Sequence, residues 1–515
     1  MAVEPLELAA CRIAGGSDGP EPISLPSRTV AAFLGRTERG PVDEPVAIRS
    51  FDEYRRAFGG HSSFGFLSHA VQHYFLNGGE SAIVVRLTNR ATRATIELPA
   101  GEQALRLAAR QPGSREYLRV SVDYDGVEHD PSRFNLVVQR LSRPRSQLIE
   151  DQELFPGVSI ESSDRRFVVD ALQASALVRL SGPLPTRRPT ATTANHPGQP
   201  IPYVDMTSVG MDGDELTDYD VVGSNEEGLG LFALDRVDRF DLLCIPPPPA
   251  RDFGTTAFLA AQRYCSRRRA MLIWDPPWAW RSSGSAVRGL RSAAITSHDA
   301  LSYFPRLRPR AELTRFPAGI PACGAVAGLL ARADRERGIA AVPASTQLKA
   351  SLTTVTDVDE QQASALCRYG VNTLTRVQGG GVVMDGNACF VPQDREPSEF
   401  QRLDTRRAAL AVLGALERGT HWACGAVSEP GSAELLERQA QTFFAGLHRR
   451  GVFAGLRAEQ AFFARVRRPL DDAAALTLRA GFALRTPAHF QVYEIEYLRD
   501  RMSTREVPPL SWYRT

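Results

Sequence analysis

The chain has 515 residues, 43% of them hydrophobic and 23% charged, enough for about three or four domain-sized units that each bury a core. A formal net charge of only +2 gives no global electrostatic reason to expect nucleic acid or a membrane surface as partner. No apolar run approaches the ~20 residues that span a bilayer, and the N-terminus has no basic stretch leading into an apolar one, so neither a signal peptide nor direct membrane insertion is expected.

Residues 1–28, with Gly15-Gly16, Gly19-Pro20 and Pro22, read as an arm that cannot form its own core. The next stretch, TVAAFLG, is a strand, followed by a helix over SFDEYRRAF that Ser50 and Glu53 cap and Gly59 ends. Leu67, Ala70, Val71, Tyr74 and Phe75 then form one apolar helical stripe, and SAIVVRL has the unbroken apolar character of a strand buried on both faces. Strand, helix, helix, strand is a crossover unit, so residues 29–88 read as α/β.

From 89 to 214 the pattern changes to short alternating strands such as LRVSVDY and RFNLVVQ, with one helix-like stretch near 167–177 and a Pro/Thr/Gly-rich loop beyond it. This block reads as a β-rich inserted domain. Crossover patterning returns over 215–345 with FDLLCIP, TTAFLAAQRYCSRRR and AMLIWD. Residues 346–486 read as helix, β-region and two long helices; Leu436, Ala440, Phe443, Phe444 and Leu447 stripe the last of these, capped by Ser432 and stopped at Gly451. HFQVYEIEYLR alternates strictly, so 487–515 read as a strand arm and tail.

Chemistry is sparse. Gly35-Arg36-Thr37-Glu38-Arg39-Gly40 has the spacing of a phosphate loop, but Pro41 and Val42 stand where the Lys and the Mg²⁺-binding hydroxyl belong, so a strand followed by a turn is expected. In GSNEEGLGLFAL the third glycine is missing and Glu226-Glu227 would repel phosphate; Gly379-Gly380-Gly381 reads as a tight turn between strands. His69 and His73 lie at i, i+4 without a third ligand nearby, which favours a solvated helix face over a metal site. Asp275 ends an apolar strand where α/β enzymes often keep acids, but Pro276-Pro277 favours a carboxylate capping a turn. Cys11, Cys244, Cys265, Cys323, Cys367, Cys389 and Cys424 are odd in number and show no C-x-x-C spacing, so reduced core thiols are expected, with Cys11 the one candidate for an inter-chain bridge. Lys349 is the single lysine, so Arg carries nearly all the fixed positive charge and suits bidentate carboxylate pairing. No catalytic, cofactor or metal residues are assigned, and a chain this long without a convergent constellation is expected to act through its surfaces.

Several of these stretches, in order, resemble the tail sheath protein family of contractile phage tails and related contractile injection systems. They are TVAAFLGRTERGPVDEPVAIRSFDEYRRAFGG, AVQHYFLNGGESAIVVRL, EEGLGLFALDRVDRFDLLCIP, AMLIWDPP, PACGAVAGLLARADRERGIAAVPAS, GVNTLTRVQGGGVVMDG, and RLDTRRAALAVLGALERGTHWACGAVSEP running on to AFFARV, together about half the chain. The resemblance implies an α/β and α+β multidomain fold, a conserved sheath body built from N- and C-terminal parts, with a β-rich inserted domain and extended terminal strand arms. It further implies stacked six-fold rings around an inner tail tube, subunits joined by exchanged strands, baseplate and terminator or cap proteins as further partners, assembly in the bacterial cytoplasm, no cofactor and no enzymatic role. Phe490, Val492, Tyr493, Ile495 and Tyr497 are then the expected inter-subunit arm, and Arg402, Asp404, Arg406 and Arg407 candidates for the tube-facing surface. The chain departs from the family pattern in lacking a PGVYVEE-like opening and in carrying RDRMSTREVPPLSWYRT beyond the expected last strand. A non-contractile shell or baseplate component, and an α/β hydrolase using Asp275 with His69 or His73, are the alternatives.

Overall fold

The computed structural model describes residues 21–61, 65–192, 202–249, 251–292, 295–312, 315–343, 345–349, 351–393, 398–469 and 475–508. The first crossover unit comprises β1 (Ala31–Gly35), β2 (Pro45–Ile48), α1 (Phe51–Phe58), α2 (Leu67–Leu76) and β3 (Ala82–Arg86). The Ser50 hydroxyl accepts from the Glu53 N–H at the start of α1, while the Glu53 carboxylate takes the N–H of Arg49 instead of that of Ser50. The loop after β1 is a turn: Arg39 donates its N–H to Phe58 O, and Gly40 has φ +103 with its α-carbon so close to Ala57 O that a Cβ would sit 2.7 Å away.

The middle of the chain forms β4 (Thr95–Ala100), β5 (Gln103–Ala109), β6 (Tyr117–Asp123), β7 (Arg133–Leu141), β8 (Ile149–Ser159), α3 (Val168–Gln173), β9 (Val178–Leu180) and β10 (Val204–Asp205). Among the described residues these strands pair only with one another, as the sheets β4-β5-β9 and β10-β6-β7-β8. Their inward residues, among them Ile96, Leu107, Val120, Phe134 and Leu136, make a core of their own.

Next come α4 (Asp218–Val222), β11 (Leu242–Cys244), α5 (Thr255–Arg268), β12 (Met271–Ile273), α6 (Ser283–Ser292), β13 (Ala300–Phe304), β14 (Leu307–Pro309) and α7 (Cys323–Arg337). They are followed by β15 (Thr346–Gln347), β16 (Leu352–Thr354), α8 (Glu360–Cys367), β17 (Val371–Arg376) and β18 (Val382–Asp385). A nine-stranded sheet runs β15-β18-β17-β13-β12-β11-β1-β3-β2. Its six central strands are parallel and its outer strands antiparallel. Alternation along the strands divides two cores: Phe33, Val84, Cys244 and Ile273 face α2 and α7, whereas Leu34, Val85, Leu243 and Leu272 face the side of α5. Gly379-Gly380-Gly381 is the β17–β18 hairpin turn, with Gly379 and Gly380 both at positive φ.

The C-terminal layer consists of α9 (Leu403–Thr420), α10 (Ser432–Arg449), α11 (Ala458–Ala461), β19 (Phe462–Arg467), β20 (Leu476–Phe482), β21 (Gln491–Tyr497) and β22 (Met502–Val507). The four strands form one antiparallel sheet in chain order. Leu436, Ala440, Phe443, Phe444 and Leu447 are all buried against it, as their helical spacing predicts. Ser432 is the first residue of α10 rather than its cap; Gly431, at φ +80, precedes the helix, and the Ser432 hydroxyl donates to Glu429 O. Of the cysteines, Cys244, Cys265, Cys323, Cys389 and Cys424 are buried free thiols and Cys367 is an exposed one; Cys11 lies outside the described residues.

Candidate functional site: the C-terminal layer and its exposed surfaces

The start of α9 carries the four residues expected against a tube, and two of them, Arg406 and Arg407, are buried within the chain. Arg406 is buried, its Nε donating to Asp299 Oδ1 at 2.7 Å with the guanidinium stacked 4.5 Å from the centre of the Phe400 ring. Burial opposes the charge there, but Asp299 outweighs it and holds Arg406 above the usual arginine range. Arg407 is likewise buried and donates to Asp334 on α7, which also receives the Thr29 hydroxyl. These two pairs clamp α9 onto the nine-stranded body. Only Arg402 is exposed; it pairs with Asp404, whose carboxylate also accepts from Asn387 and the Thr405 N–H near the helix start. That set of hydrogen bonds, together with the Arg402 charge, outweighs burial and keeps Asp404 below the usual carboxylate range.

The expected arm strand lies inside its own chain's sheet. Phe490, Val492, Tyr493, Ile495 and Tyr497 are all buried within their own chain, and β21 is an interior strand with β20 on one side and β22 on the other. Tyr493, Ile495 and Tyr497 join the core beneath α9 and α10, and the Tyr497 hydroxyl lies 2.7 Å from that of Thr420. Phe490 and Val492 pack with Phe463 and Val507. Strict alternation correctly gives a strand, but it does not say whose sheet the strand completes. The chain reverses after Leu498, whose N–H bonds to Arg501 O, and β22 then lies opposite, with Arg505 donating to Glu494 at 2.6 Å across the ladder. Among the described residues, the outer strands of this sheet are therefore β19 and β22. Sequence reading missed β22; its one signal is the pair of polar residues, Ser503 and Arg505, that fall opposite Glu496 and Glu494.

At the other terminus, residues 21–25 lie on their own body. Gln439 on α10 donates to Glu21 O and to Gly419 O, and Ile23 packs so tightly on Gly419 that a Cβ there would come within 2.6 Å. Beside this segment runs an open groove of about 700 Å³, floored by Ile23, Leu435 and Phe443 and rimmed by Arg438, Arg449 and Arg450. Residues 1–20 and 509–515, the outer parts of both expected arms, lie outside the described residues.

The enzyme-like candidates resolve into packing. Asp275 Oδ1 accepts the N–H groups of Ala322 and Cys323 at 2.7 and 3.0 Å, so it caps the start of α7 and not the Pro-Pro turn. Burial pushes its carboxyl up to about 6 although those bonds favour the charged form. His69 and His73 are not on a solvated helix face but buried, and His69 lies against Phe66, Phe316 and a stacked His61 ring at 4.2 Å. Desolvation first, then the neighbouring histidines and Arg315, lower His69 to about 3; desolvation and His61 lower His73 to about 4. Among the described residues no hydrogen bond joins Asp275 to either histidine, no cluster of His, Cys, Asp and Glu could hold a metal ion, and no helix is long and apolar enough to cross a membrane.

No protein-family model and no curated protein matches this sequence. Solved structures do. A sheath tail protein from Listeria innocua superimposes with a TM-score of 0.63 at 11% identity, covering 93% of this chain and 97% of its own. A sheath tail protein from Desulfitobacterium hafniense gives 0.53 at 11% identity over 95% of this chain and 98% of its own. The sheath of an extracellular contractile injection system, PVC, in its contracted state gives 0.52 at 14% identity over 91% of each chain. All three are sheath proteins, matched from end to end rather than through one shared domain. The chain thus has the mixed α/β, multidomain fold of the tail sheath proteins.

Proposed function

We propose that this chain is the structural subunit of a contractile sheath, polymerising as stacked six-fold rings around an inner tube and contracting to drive that tube through a target envelope. The observation that carries the reading is the end-to-end match: 93% of this chain against 97% of a sheath tail protein leaves little of either molecule for another purpose. The work comes from conformational energy set at assembly, an extended lattice relaxing to one that buries more surface. At ~25 cal/mol per Å², about 300 Å² of additional burial per subunit supplies roughly 7 kcal/mol without a nucleotide. The partners are further copies of the chain, an inner tube protein, and baseplate and terminator proteins, with assembly in the bacterial cytoplasm before release as part of a tail or particle.

With β21 interior, strand exchange between copies falls to segments outside it: β22 with the residues C-terminal to it, and the residues before Glu21. Arg402 and Asp404 are the stronger proposed tube contacts, since Arg406 and Arg407 are engaged in buried pairs within the chain. Co-expression with the neighbouring tail genes, followed by negative-stain microscopy, tests the reading. Tubes in two states, long and narrow or short and wide, are expected. Discs, closed shells or dispersed particles would overturn it.

A further inference from the structure

Two surfaces formed by different parts of the chain complement each other in charge. Between Arg188 and Arg236 there is no Lys or Arg, while nine carboxylates, from Asp205 to Asp235, fall there. Asp205, Glu226 and Glu227 are exposed and make no ion pair among the described residues; Asp214 and Glu215 reach Arg90 and Arg251 only at 3.7 and 3.6 Å. Interleaved with these carboxylates are Val209, Met211 and Tyr219, exposed by 59, 60 and 80%. Tyr219, on the short α4, stands between Asp218 and Asp220, and both of those are tied down, to the start of α5 and to Thr217. An aromatic ring held on a helix and ringed by charge, with no covering element among the described residues, has the composition of an interface anchor rather than of a solvated face.

The α10 groove has the opposite character. From Arg438 to Arg468 the sequence holds seven arginines and one carboxylate, Glu459. Arg438, Arg449, Arg450 and Arg457 are exposed and make no ion pair among the described residues. The first three of these rim a groove of about 700 Å³ with an apolar floor of Ile23, Leu435 and Phe443, room for a large side chain and its neighbours. Unpaired Arg forks around an apolar trough suit an aromatic side chain flanked by carboxylates.

We propose that the 205–227 stretch of one copy docks in the α10 groove of the next, with Tyr219 entering the trough and Glu226 and Glu227 meeting Arg449 and Arg450. Because the two patches are different surfaces of one chain, the contact is heterologous: each copy offers a donor and an acceptor, and association propagates as a ring or a helix instead of closing as a dimer. This rests on the sheath reading and adds a side-chain contact distinct from any strand exchange. It is an ionic contact at an exposed rim, so it weakens with salt.

The test uses the full-length chain and three variants: Arg449→Glu/Arg450→Glu, Glu226→Arg/Glu227→Arg, and the four changes combined. All four positions are exposed, so unchanged circular dichroism and melting temperature certify folding. Sedimentation across a salt series reads the assembled fraction. Each reversal sets like charges against each other and is expected to lower it about tenfold at low salt, and the combined swap to restore it. Reversals that assemble like the wild type, a swap that fails to rescue, or reversals that spare the polymer and lose only the inner tube would each overturn the contact while leaving the sheath reading intact. A wild-type chain that stays monomeric at every salt concentration, with or without the tail genes, would overturn both.

Discussion

At the scale of single residues, the charges that matter most are the ones removed from water. Asp334 receives Arg407, Thr29 and the Ala340 N–H at once, and both ends of the Arg407 pair are almost fully covered. Deleting one partner of such a pair leaves an uncompensated charge, a cost of about 3–5 kcal/mol, whereas replacing both by apolar groups is often close to neutral. Asp334→Leu alone is therefore expected to lower stability by that amount in urea titrations, and Asp334→Leu with Arg407→Met to regain about half of it or more. The buried histidines give a pH dependence of definite sign. His69 and His73 are held at about 3 and about 4, below the ordinary histidine value of about 6.5. Their contribution is complete above that ordinary value and is lost as the pH falls from there toward 4, where the unfolded chain binds the protons and the folded chain resists them. Between pH 7 and pH 5 the loss is roughly 2 kcal/mol for each histidine. His69→Phe, which places another ring beside Phe66 and Phe316, should about halve that acid sensitivity in denaturant midpoints taken at the two pH values; an unchanged slope would mean that His69 is not a buried neutral group.

At the scale of elements, the crossing of α2 and α7 is set by two glycines that the sequence shows but does not explain. A Cβ on Gly324 would stand 1.9 Å from Ala70 O, and one on Gly328 2.4 Å from Tyr74 O. The two backbones are thus in direct contact, and α7 is buried along nearly its whole length. Gly324→Ala gains helix propensity but must push the helices apart, and overpacking of this kind costs about 1–3 kcal/mol or more. A lowered melting temperature is expected in calorimetry; a raised one would show that the pair separates freely. Elements whose pattern depends only on their own burial were legible: α2, α10 and β3 follow directly from the spacing of their apolar residues. Pairing across long sequence distances was not. Nothing local in Val371–Arg376 says that it adds to β13, and Arg406 and Arg407 look like a solvated helix start until Asp299 and Asp334 arrive from 107 and 73 residues away.

At the scale of the whole molecule, the resemblance read from scattered motifs gave the fold, while the placement of the C-terminal strand came only with the structure, because an alternating strand is equally suited to its own sheet or to a neighbour's. That distinction changes what truncation does. Ending the chain before residue 487 removes Tyr493, Ile495 and Tyr497 from the core beneath α9 and α10, so it is expected to collapse the C-terminal layer and yield aggregates, not folded monomers. Ending it after Leu498 removes β22, none of whose residues is fully buried, and leaves β21 with an open row of N–H and C=O groups. The shortened chain should keep the native circular dichroism signal but fail to form tubes, since the segment proposed for exchange is gone. A synthetic peptide of residues 499–508 should then bind it saturably, refilling the edge from outside, as a strand donated by a neighbour would. Tubes assembling from the shortened chain at the wild-type rate, with no peptide binding, would show that β22 is only the last strand of its own sheet and that the lattice is held by side-chain contacts instead.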